Sequence, residues 1–320
     1  MKKNNNIWCV FLSENGLSFT IGSHQSDKEQ KIGFVPFEPG IIEKGYIKDP
    51  KFLQQKLQEI KKQYSISSKS VRIVLGEENL LLKKININKS LVQDQKLGDY
   101  INSQLGLTIH FPYDFPILDF YVIDETDEAF DVLIFLSDSN LIQDYVDLFD
   151  SIHMRNIEFD NAFMANYRLY YHYLNVNETK DSLHLESSDK ADEYIPNQTG
   201  LMFVSIYHNI LSISIFDKMV PSFTLTEELE TGDFCDSVAN YIERVANYYQ
   251  YNINKGKQEI KYVEVFDYRD CSKNLDAKHE LRKKITDIEI GYFDFSIIEA
   301  FSDELCHKGF FMAFAASIKK

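Results

Sequence analysis

The sequence has no long apolar run. The longest run near its start, Ile7 to Leu12, is too short for the core of a signal peptide and is followed at once by Ser13, Glu14 and Asn15. No stretch approaches the roughly 20 apolar residues that a membrane-spanning helix needs. We therefore expect the protein to stay in the cytoplasm and not to insert into a membrane.

Cysteine and positive charge are also scarce. The four cysteines, Cys9, Cys235, Cys271 and Cys306, lie far apart and form no C-x-x-C pair, which argues against a zinc cage or a disulfide framework. The formal net charge is -15. Because affinity for nucleic acid comes mainly from Lys and Arg that displace counterions, this charge argues against a nucleic-acid partner. We predict no metal site.

Common catalytic signatures are absent as well. The sequence contains no G-x-x-x-x-G-K-[ST], G-x-S-x-G, H-E-x-x-H or EF-hand pattern, and its eight histidines are scattered. No catalytic residue is predicted on these grounds.

What the sequence does contain is two halves that open alike. Near the start, Ile7–Leu12 and Leu17–Ile21 are β-rich runs joined by a short turn at Ser13–Gly16. The second half opens on Leu201–Tyr207 and Ile210–Phe216, joined at His208 and Asn209. With 44% hydrophobic residues, the chain can bury the core of two lobes that share a cleft.

A polar, charged stretch separates the two halves. Few large apolar residues occur between Asn175 and Gly200, which is typical of an exposed connection. We predict a first lobe at 1–175 with an inserted subdomain at about 86–150, a connection at 176–199, and a second lobe at 200–320.

Helical spacing marks several segments between the strands. Asp49 is suited to be the N-cap of a helix, and Pro50 is suited to be its first residue. The apolar residues Phe52, Leu53, Leu57 and Ile60 then recur on one face of this helix. Further helices are predicted near 97–105, 141–154, 161–174, 234–251 and 276–284. Further strands are predicted near 31–37, 71–75, 80–87, 118–123, 132–136, 220–225 and 261–266.

Four local motifs carry a resemblance to a known family. They are Phe34–Asp49, which ends in the G-x-I-x-D pattern Gly45-Tyr46-Ile47-Lys48-Asp49, then Ile109–Pro112, Tyr241–Val245 and Gly309–Ile318. In this order they resemble the PilM pilus-assembly family, which is related to FtsA. The resemblance implies an α/β, two-lobed actin-like (ribonuclease H-like) fold with an FtsA/PilM-type inserted subdomain in the first lobe. It also favours a final helix that packs in the core over one that anchors to a membrane.

The nucleotide motifs of actin-like ATPases are degenerate in this sequence. Such proteins grip phosphate with D-x-G-type turns, one per lobe, and place a glycine-rich turn against adenine. The residues at the equivalent positions here are Ser13, Glu14, Asn15 and Gly16 in the first lobe, Tyr207 and His208 in the second, and Asp267 and Tyr268 at the adenine turn. We therefore predict a pseudo-ATPase that is not an enzyme and needs no cofactor.

The resemblance further implies a partner. A PilM-like protein would be a scaffold of a type IV pilus or related machine, holding the N-terminal cytoplasmic segment of a PilN-like bitopic membrane protein and contacting other machine subunits. It would sit at the inner face of the plasma membrane through that partner. The apolar candidates for the peptide groove are Phe34, Phe37, Ile41, Ile42, Tyr46 and Ile47, with packing in the core as their other interpretation.

Two enzyme-like alternatives stay open. One is a nucleotide-binding actin-like protein, either an FtsA-type filament former or an ATPase, with ATP and magnesium as its ligands. The other is a sugar-kinase-like enzyme of the same superfamily, which would need an acidic base near its phosphate turns; none is identified in the sequence.

Overall fold

The structure is a computed structural model that describes residues 7–22, 30–92, 95–181, 199–207, 209–217, 219–229, 233–269, 274–295 and 310–319. Its strands are β1 Trp8–Ser13, β2 Gly16–Ile21, β3 Lys31–Pro36, β4 Ile42–Glu43, β5 Tyr46–Ile47, β6 Ser70–Leu75, β7 Leu81–Asn88, β8 Pro116–Glu125, β9 Ala129–Asp138, β10 Asn156–Asn161, β11 Thr199–Tyr207, β12 Ile210–Asp217, β13 Val220–Glu228, β14 Tyr262–Asp267 and β15 Glu289–Tyr292. Its helices are α1 Pro50–Gln63, α2 Lys89–Val92, α3 Leu97–Ser103, α4 Ser139–Ser151, α5 Ala162–Asp181, α6 Phe234–Tyr248, α7 Asn274–Lys284 and α8 Phe310–Ile318.

The first lobe is built on a five-stranded sheet in the order β10-β6-β1-β2-β3. Strands β1, β2 and β3 form an antiparallel meander, while β6 and β10 are parallel to β1. Every residue of β1 is buried, because both faces of the sheet are covered by helices. On one face, Trp8 and Val10 of β1 share a core with Leu57 of α1 and Phe149 of α4.

The second lobe repeats this plan. Its sheet has the order β13-β12-β11-β14-β15, with an antiparallel meander followed by two parallel strands. Helices α6 and α7 cover one face, where Val238 and Leu281 pack on Val204 and Val265. The predicted similarity of the two halves is thus present in their strand order.

A shared aromatic core joins the two lobes through α5 and α8. It combines Phe11 of the first sheet with Phe203 and Phe216 of the second, and with Tyr167 and Phe311 of the two helices. The Tyr167 and Phe216 rings stack with centroids 4.5 Å apart. Such ring contacts stabilise the protein beyond the burial of their apolar area. Apolar packing therefore holds the two lobes together.

A three-stranded antiparallel sheet is inserted in the first lobe, between β6 and α4. Its order is β7-β9-β8, and α2 and α3 cover one of its faces around Ile101, Val132 and Ile134. The strands of this sheet lie between Leu81 and Asp138. The sequence analysis predicted the inserted subdomain at about 86–150. The lobe boundaries stay predictions, and most of the 176–199 connection lies outside the described residues.

Most of the predicted elements are present. Asp49 caps α1 through a hydrogen bond from Phe52 N to its Oδ1 of 2.9 Å, with Pro50 as the first helical residue. Helix α8 packs in the core as expected, since Phe311, Ala313 and Phe314 are buried. The sequence analysis did not predict β10, β15 or the two-residue strands β4 and β5.

Candidate functional site between the lobes

A cavity of about 500 Å³ lies where the first hairpin of each lobe turns. It is bounded by the β1–β2 turn, the end of β6, the β4–β5 turn and strands β11 to β13. Its polar lining residues are Ser13, Glu14, Lys44, Tyr46, Glu77, Glu78, Asn79, Tyr113, Ser205, Tyr207, Asn209, Ser212, Thr226, Glu227 and Glu228. This is the cleft that two similar lobes were predicted to share.

Two of the predicted phosphate-turn residues meet across this cleft. The hydroxyls of Ser13 and Tyr207 lie 2.8 Å apart, and Ser13 also donates to Gly16 O at 3.0 Å. Because the one hydroxyl hydrogen of Ser13 is used in its own turn, Tyr207 is the donor of the bond between the lobes. Burial raises the pKa of Tyr207 to about 12, so the phenol keeps its proton at neutral pH. His208 lies outside the described residues.

A second polar bridge is made by Glu77, which follows β6. Its carboxylate accepts from Ser205 Oγ at 2.9 Å and from Asn166 Nδ2 at 3.2 Å. Ser205 belongs to the second lobe and Asn166 to α5, so three parts of the fold converge on one carboxyl group. Burial raises the pKa of Glu77 to about 7, against hydrogen bonds from Ser212 and Ser205 that lower it.

The predicted adenine turn is filled by its own side chains. Tyr268 is 2% exposed, stacks on Phe266 and donates to Asn166 Oδ1, which extends the Glu77 network. Asp267 is buried too and holds Arg269 in a two-bond ion pair, with nitrogen–oxygen distances of 2.9 and 2.7 Å. No glycine in the described part of this turn leaves backbone open to a base.

The mouth of the cleft is acidic. Its carboxylates are Glu14, Glu78, Glu227 and Glu228, and Lys44 is the cation among its lining residues. Lys44 is already engaged: its backbone N–H donates to Glu14 at 2.7 Å, and its Nζ lies 3.5 Å from Glu228. Because four carboxylates outnumber this one cation, the net charge of the entrance disfavours a negatively charged ligand.

The six predicted partner-binding residues lie mostly against the first-lobe core. Ile42 is 1% exposed and packs in the first-lobe core, which favours the core interpretation for this residue. Phe37, Ile41, Tyr46 and Ile47 are half-buried on the core of α1 and α4, whereas Phe34 packs toward the shared aromatic core. Phe37 packs edge-on against Phe52. For the other five residues, which keep some exposure, the partner-binding role stays a prediction.

Tyr46 is held in a defined position by polar bonds. Its hydroxyl donates to Asp138 Oδ2 at 2.8 Å, next to the start of α4. Tyr145 of that helix donates to Gly45 O at 2.9 Å. The β4–β5 hairpin therefore links the cleft, α4 and the inserted sheet.

Sequence reasoning missed Glu77, Ser205 and Asn166 as site residues. Glu77 lies in a Gly-Glu-Glu-Asn run that is typical of a turn, so nothing local distinguished it. The usable signal was its position: polar residues directly after a buried parallel strand lie at the edge where α/β proteins place their sites.

The described residues contain no metal-like grouping of three or more His, Cys, Asp or Glu side chains. No helix in the described ranges is both long enough and apolar enough to cross a bilayer.

Comparisons with known proteins agree with this geometry. One chain of a solved PilM-PilN type IV pilus biogenesis complex superimposes with a TM-score of 0.68, at 13% identity, over 99% of this chain and 100% of that chain. A Bacteroides thetaiotaomicron protein with an actin-like ATPase fold and unknown function superimposes with a TM-score of 0.53, at 12% identity, over 98% and 97% of the two chains. At these identities both show the fold, which is actin-like. No curated protein matches the sequence.

A family model gives the more specific result. The model described as type IV pilus assembly protein PilM matches residues 18–185, which is more than half of the chain. The matched range includes the Phe34–Asp49 and Ile109–Pro112 motifs on which the resemblance was first based. The chain therefore belongs to the PilM family of type IV pilus assembly proteins.

Proposed function

We propose that this chain is a non-catalytic, cytoplasmic scaffold of a type IV pilus or related machine. In this proposal it binds the N-terminal cytoplasmic segment of a PilN-like membrane protein and is held at the inner face of the plasma membrane by that partner. Support for the partner comes from family membership and from the likeness to a protein solved in a PilM-PilN complex.

The observation that carries the non-catalytic part is the hydrogen bond between Tyr207 and Ser13. It joins the two turns between which an actin-like ATPase would hold phosphate, so a phenol stands where phosphate oxygens would have to lie. Tyr268 likewise occupies the predicted adenine turn. The residues present do not fit ATP.

The charge of the cleft supports the same proposal. Glu14, Glu78, Glu227 and Glu228 surround its mouth, and Lys44 is paired with one of them. A nucleoside triphosphate would bring further negative charge into this setting, and like charges at close range are strongly unfavourable where water is partly excluded.

Two measurements on the full chain test the two parts of this proposal. Isothermal titration with ATP and magnesium chloride, together with a phosphate-release assay, should show neither binding heat nor turnover. Tight binding or measurable turnover would overturn the non-catalytic part and favour the nucleotide-dependent alternative.

The partner is tested with a labelled synthetic peptide. The probe is the segment that precedes the membrane span of the PilN-like protein encoded by the same organism. Fluorescence anisotropy should show saturable binding, and a scrambled peptide of equal composition is the control. Equal binding of the two peptides, or none, would contradict the partner assignment.

A further inference from the structure

One end of the second-lobe sheet lies opposite the cleft. The β11–β12 turn is at the cleft, so the starts of β11 and β14 and the β12–β13 turn lie at the other end, because β14 is parallel and β12 antiparallel to β11. Asp217 at the end of β12 ties this end together. Its Oδ1 accepts from Gly200 N at 3.3 Å and from the hydroxyl of Tyr249, which follows α6. The end of α6 is thereby fixed against the sheet.

A π-helical turn, Tyr249–Ile253, continues α6 at this end. Asn254 N donates to Tyr249 O at 2.8 Å, five residues back, so the turn is wider than a turn of α-helix. Tyr249 is buried, whereas Tyr251 and Ile253 remain exposed. Single π turns of this kind are frequent at functional sites.

Four large apolar side chains are exposed at this end. They are Met219 of the β12–β13 turn, Tyr248, Tyr251 and Ile253, which are 60%, 49%, 66% and 38% exposed. The ring of Tyr248 lies 5.6 Å from the ring of Phe223 in β13, which joins the helical part of this surface to the sheet. Apolar side chains that are exposed as a group, and not singly, mark an interaction surface.

Positive charge accompanies these side chains. Residues 244–258 contain Arg244, Lys255 and Lys257 and no Asp or Glu, in a chain whose formal net charge is -15. Both lysines are exposed. The local field therefore favours a negatively charged partner. The apolar and basic residues together are called the far-end surface: Met219, Tyr248, Tyr251, Ile253, Lys255 and Lys257.

An open depression of about 540 Å³ borders the far-end surface. Its lining includes Lys257 and Lys261, and also Glu259, whose carboxylate accepts from Gln250 Nε2 at 3.3 Å. Two lysines against one carboxylate make the depression net positive. Lysine binds phosphate as a point charge, so the depression suits a phosphate group.

From these observations we propose that the far-end surface docks on the headgroup region of an anionic membrane. The tyrosines lie at the level of the headgroups, where this residue is enriched, and the lysines meet lipid phosphates. No helix enters the bilayer. This inference goes beyond the proposed function, in which the partner alone holds the scaffold at the membrane, because it gives the chain a lipid contact of its own.

The negative charge of the whole chain does not prevent this docking. Residues 97–154 contain twelve Asp and Glu residues and no Lys or Arg, but they belong to the first lobe. The Debye length is about 8 Å at physiological ionic strength, so exposed charges farther from the lipid are largely screened. The charge next to the membrane decides, and at the far-end surface it is positive.

Co-sedimentation of the full chain with vesicles tests the charge. The probe is vesicles of phosphatidylglycerol and phosphatidylethanolamine, with phosphatidylcholine vesicles as the neutral comparison. We expect wild type to bind the anionic vesicles, less strongly as salt rises, and to bind the neutral ones weakly. Lys255→Glu combined with Lys257→Glu should weaken binding by about tenfold or more. Lys51→Glu combined with Lys62→Glu makes the same change in net charge at exposed positions of α1 and should have little effect.

A second pair of variants tests the aromatic contact. Tyr251→Ser removes the most exposed ring of the far-end surface and should weaken binding to the anionic vesicles by about threefold or more. Tyr121→Ser is its control, because that tyrosine is 61% exposed but lies in the first lobe. Melting curves and circular dichroism establish that each variant is folded; if one is not, the other pair decides.

The outcomes test this surface separately from the proposed function. Loss of binding in the far-end variants alone supports the membrane assignment. Equal binding to both kinds of vesicle, no binding of wild type, or equal losses in the first-lobe controls contradicts it. If wild type does not bind vesicles but self-associates in sedimentation velocity, and the lysine variant at the far end abolishes this, the surface is an interface between copies. Because no peptide is used, none of these results changes the test of the partner.

Discussion

The Tyr207 and Ser13 hydroxyls lie 2.8 Å apart although 194 positions separate them in the sequence. This bond ties the first turn of one lobe to the first turn of the other. The ring of Tyr207 also packs edge-on against Phe11 at 5.8 Å, so apolar and polar contacts fix it together. These two contacts of Tyr207 therefore help to hold the two lobes together.

Tyr207→Phe should lower the stability of the protein modestly. The ring contact with Phe11 is kept and Ser13 keeps its bond to Gly16 O, so the change removes mainly the bond between the lobes. We expect a loss of about 1 kcal/mol in the free energy of unfolding, measured in urea. Tyr248→Phe is the control, because that hydroxyl is on an exposed side chain; equal losses in both variants would contradict the role of the bridge.

Stability should depend on pH through Glu77. Its pKa is about 7 in the folded protein, against an ordinary value of 4.5. The folded state therefore holds this proton more tightly than the unfolded state, and the contribution of Glu77 is largest below pH 4.5 and is lost as pH rises to about 7. Glu78 and Tyr268 are the other ionisable groups that face this network.

Glu77→Gln isolates this effect. Gln cannot ionise, so its stability relative to wild type should increase between pH 5 and pH 8 in urea unfolding experiments. Glu264 also has a pKa raised to about 7 by burial, but it is present in both proteins and cancels in the difference. A difference that stays constant with pH would contradict the assignment to Glu77.

Two glycines that share a backbone conformation should respond differently to alanine. Gly40 and Gly45 have φ of +90° and +80°. A Cβ added at Gly45 would overlap the buried side-chain amide of Asn79, whereas a Cβ added at Gly40 would have no other atom within 4 Å. We expect Gly40→Ala to cost about 1 kcal/mol from backbone strain alone, and Gly45→Ala to cost clearly more in thermal unfolding. Equal costs would show that Asn79 moves aside freely.

The N-cap of α1 offers a local test of helix stability. Asp49→Ala removes the acceptor for Phe52 N and should cost about 1 kcal/mol, while Asp49→Ser should retain most of the stability because serine also caps well. Urea unfolding of both variants measures the difference. A serine variant as unstable as the alanine variant would point to a role of Asp49 beyond capping.

The sequence predicted those elements whose own residues determine them. The first hairpin has buried β-branched and aromatic residues on both sides of a turn, and α1 has its cap and first proline in place. Strand β10 was missed because its apolar alternation is limited to Ile157 and Phe159 and lies between two segments with helical spacing; in the structure it pairs in parallel with β6. Likewise, β15 exists because β14 offers it a parallel edge.

The site was predictable only in part. The two degenerate turns could be located from the hairpins that carry them, and the structure brings Ser13 and Tyr207 together. The partners of Glu77 could not be found in this way, because Ser205 and Asn166 meet it only through tertiary packing. The far-end surface was also invisible, because its apolar residues come from two distant segments and only tertiary packing leaves them exposed together.

The position of α8 has a consequence for the order in which the protein can be made. This helix covers the first-lobe sheet around Cys9, Phe11 and Val74, yet it follows all five strands of the second-lobe sheet in the chain. A ribosome therefore completes the strands of the second sheet before α8 is made, and until then only α5 can cover this apolar face of the first sheet. We expect the two lobes to mature together late in synthesis, which makes the nascent first lobe a natural client for chaperones.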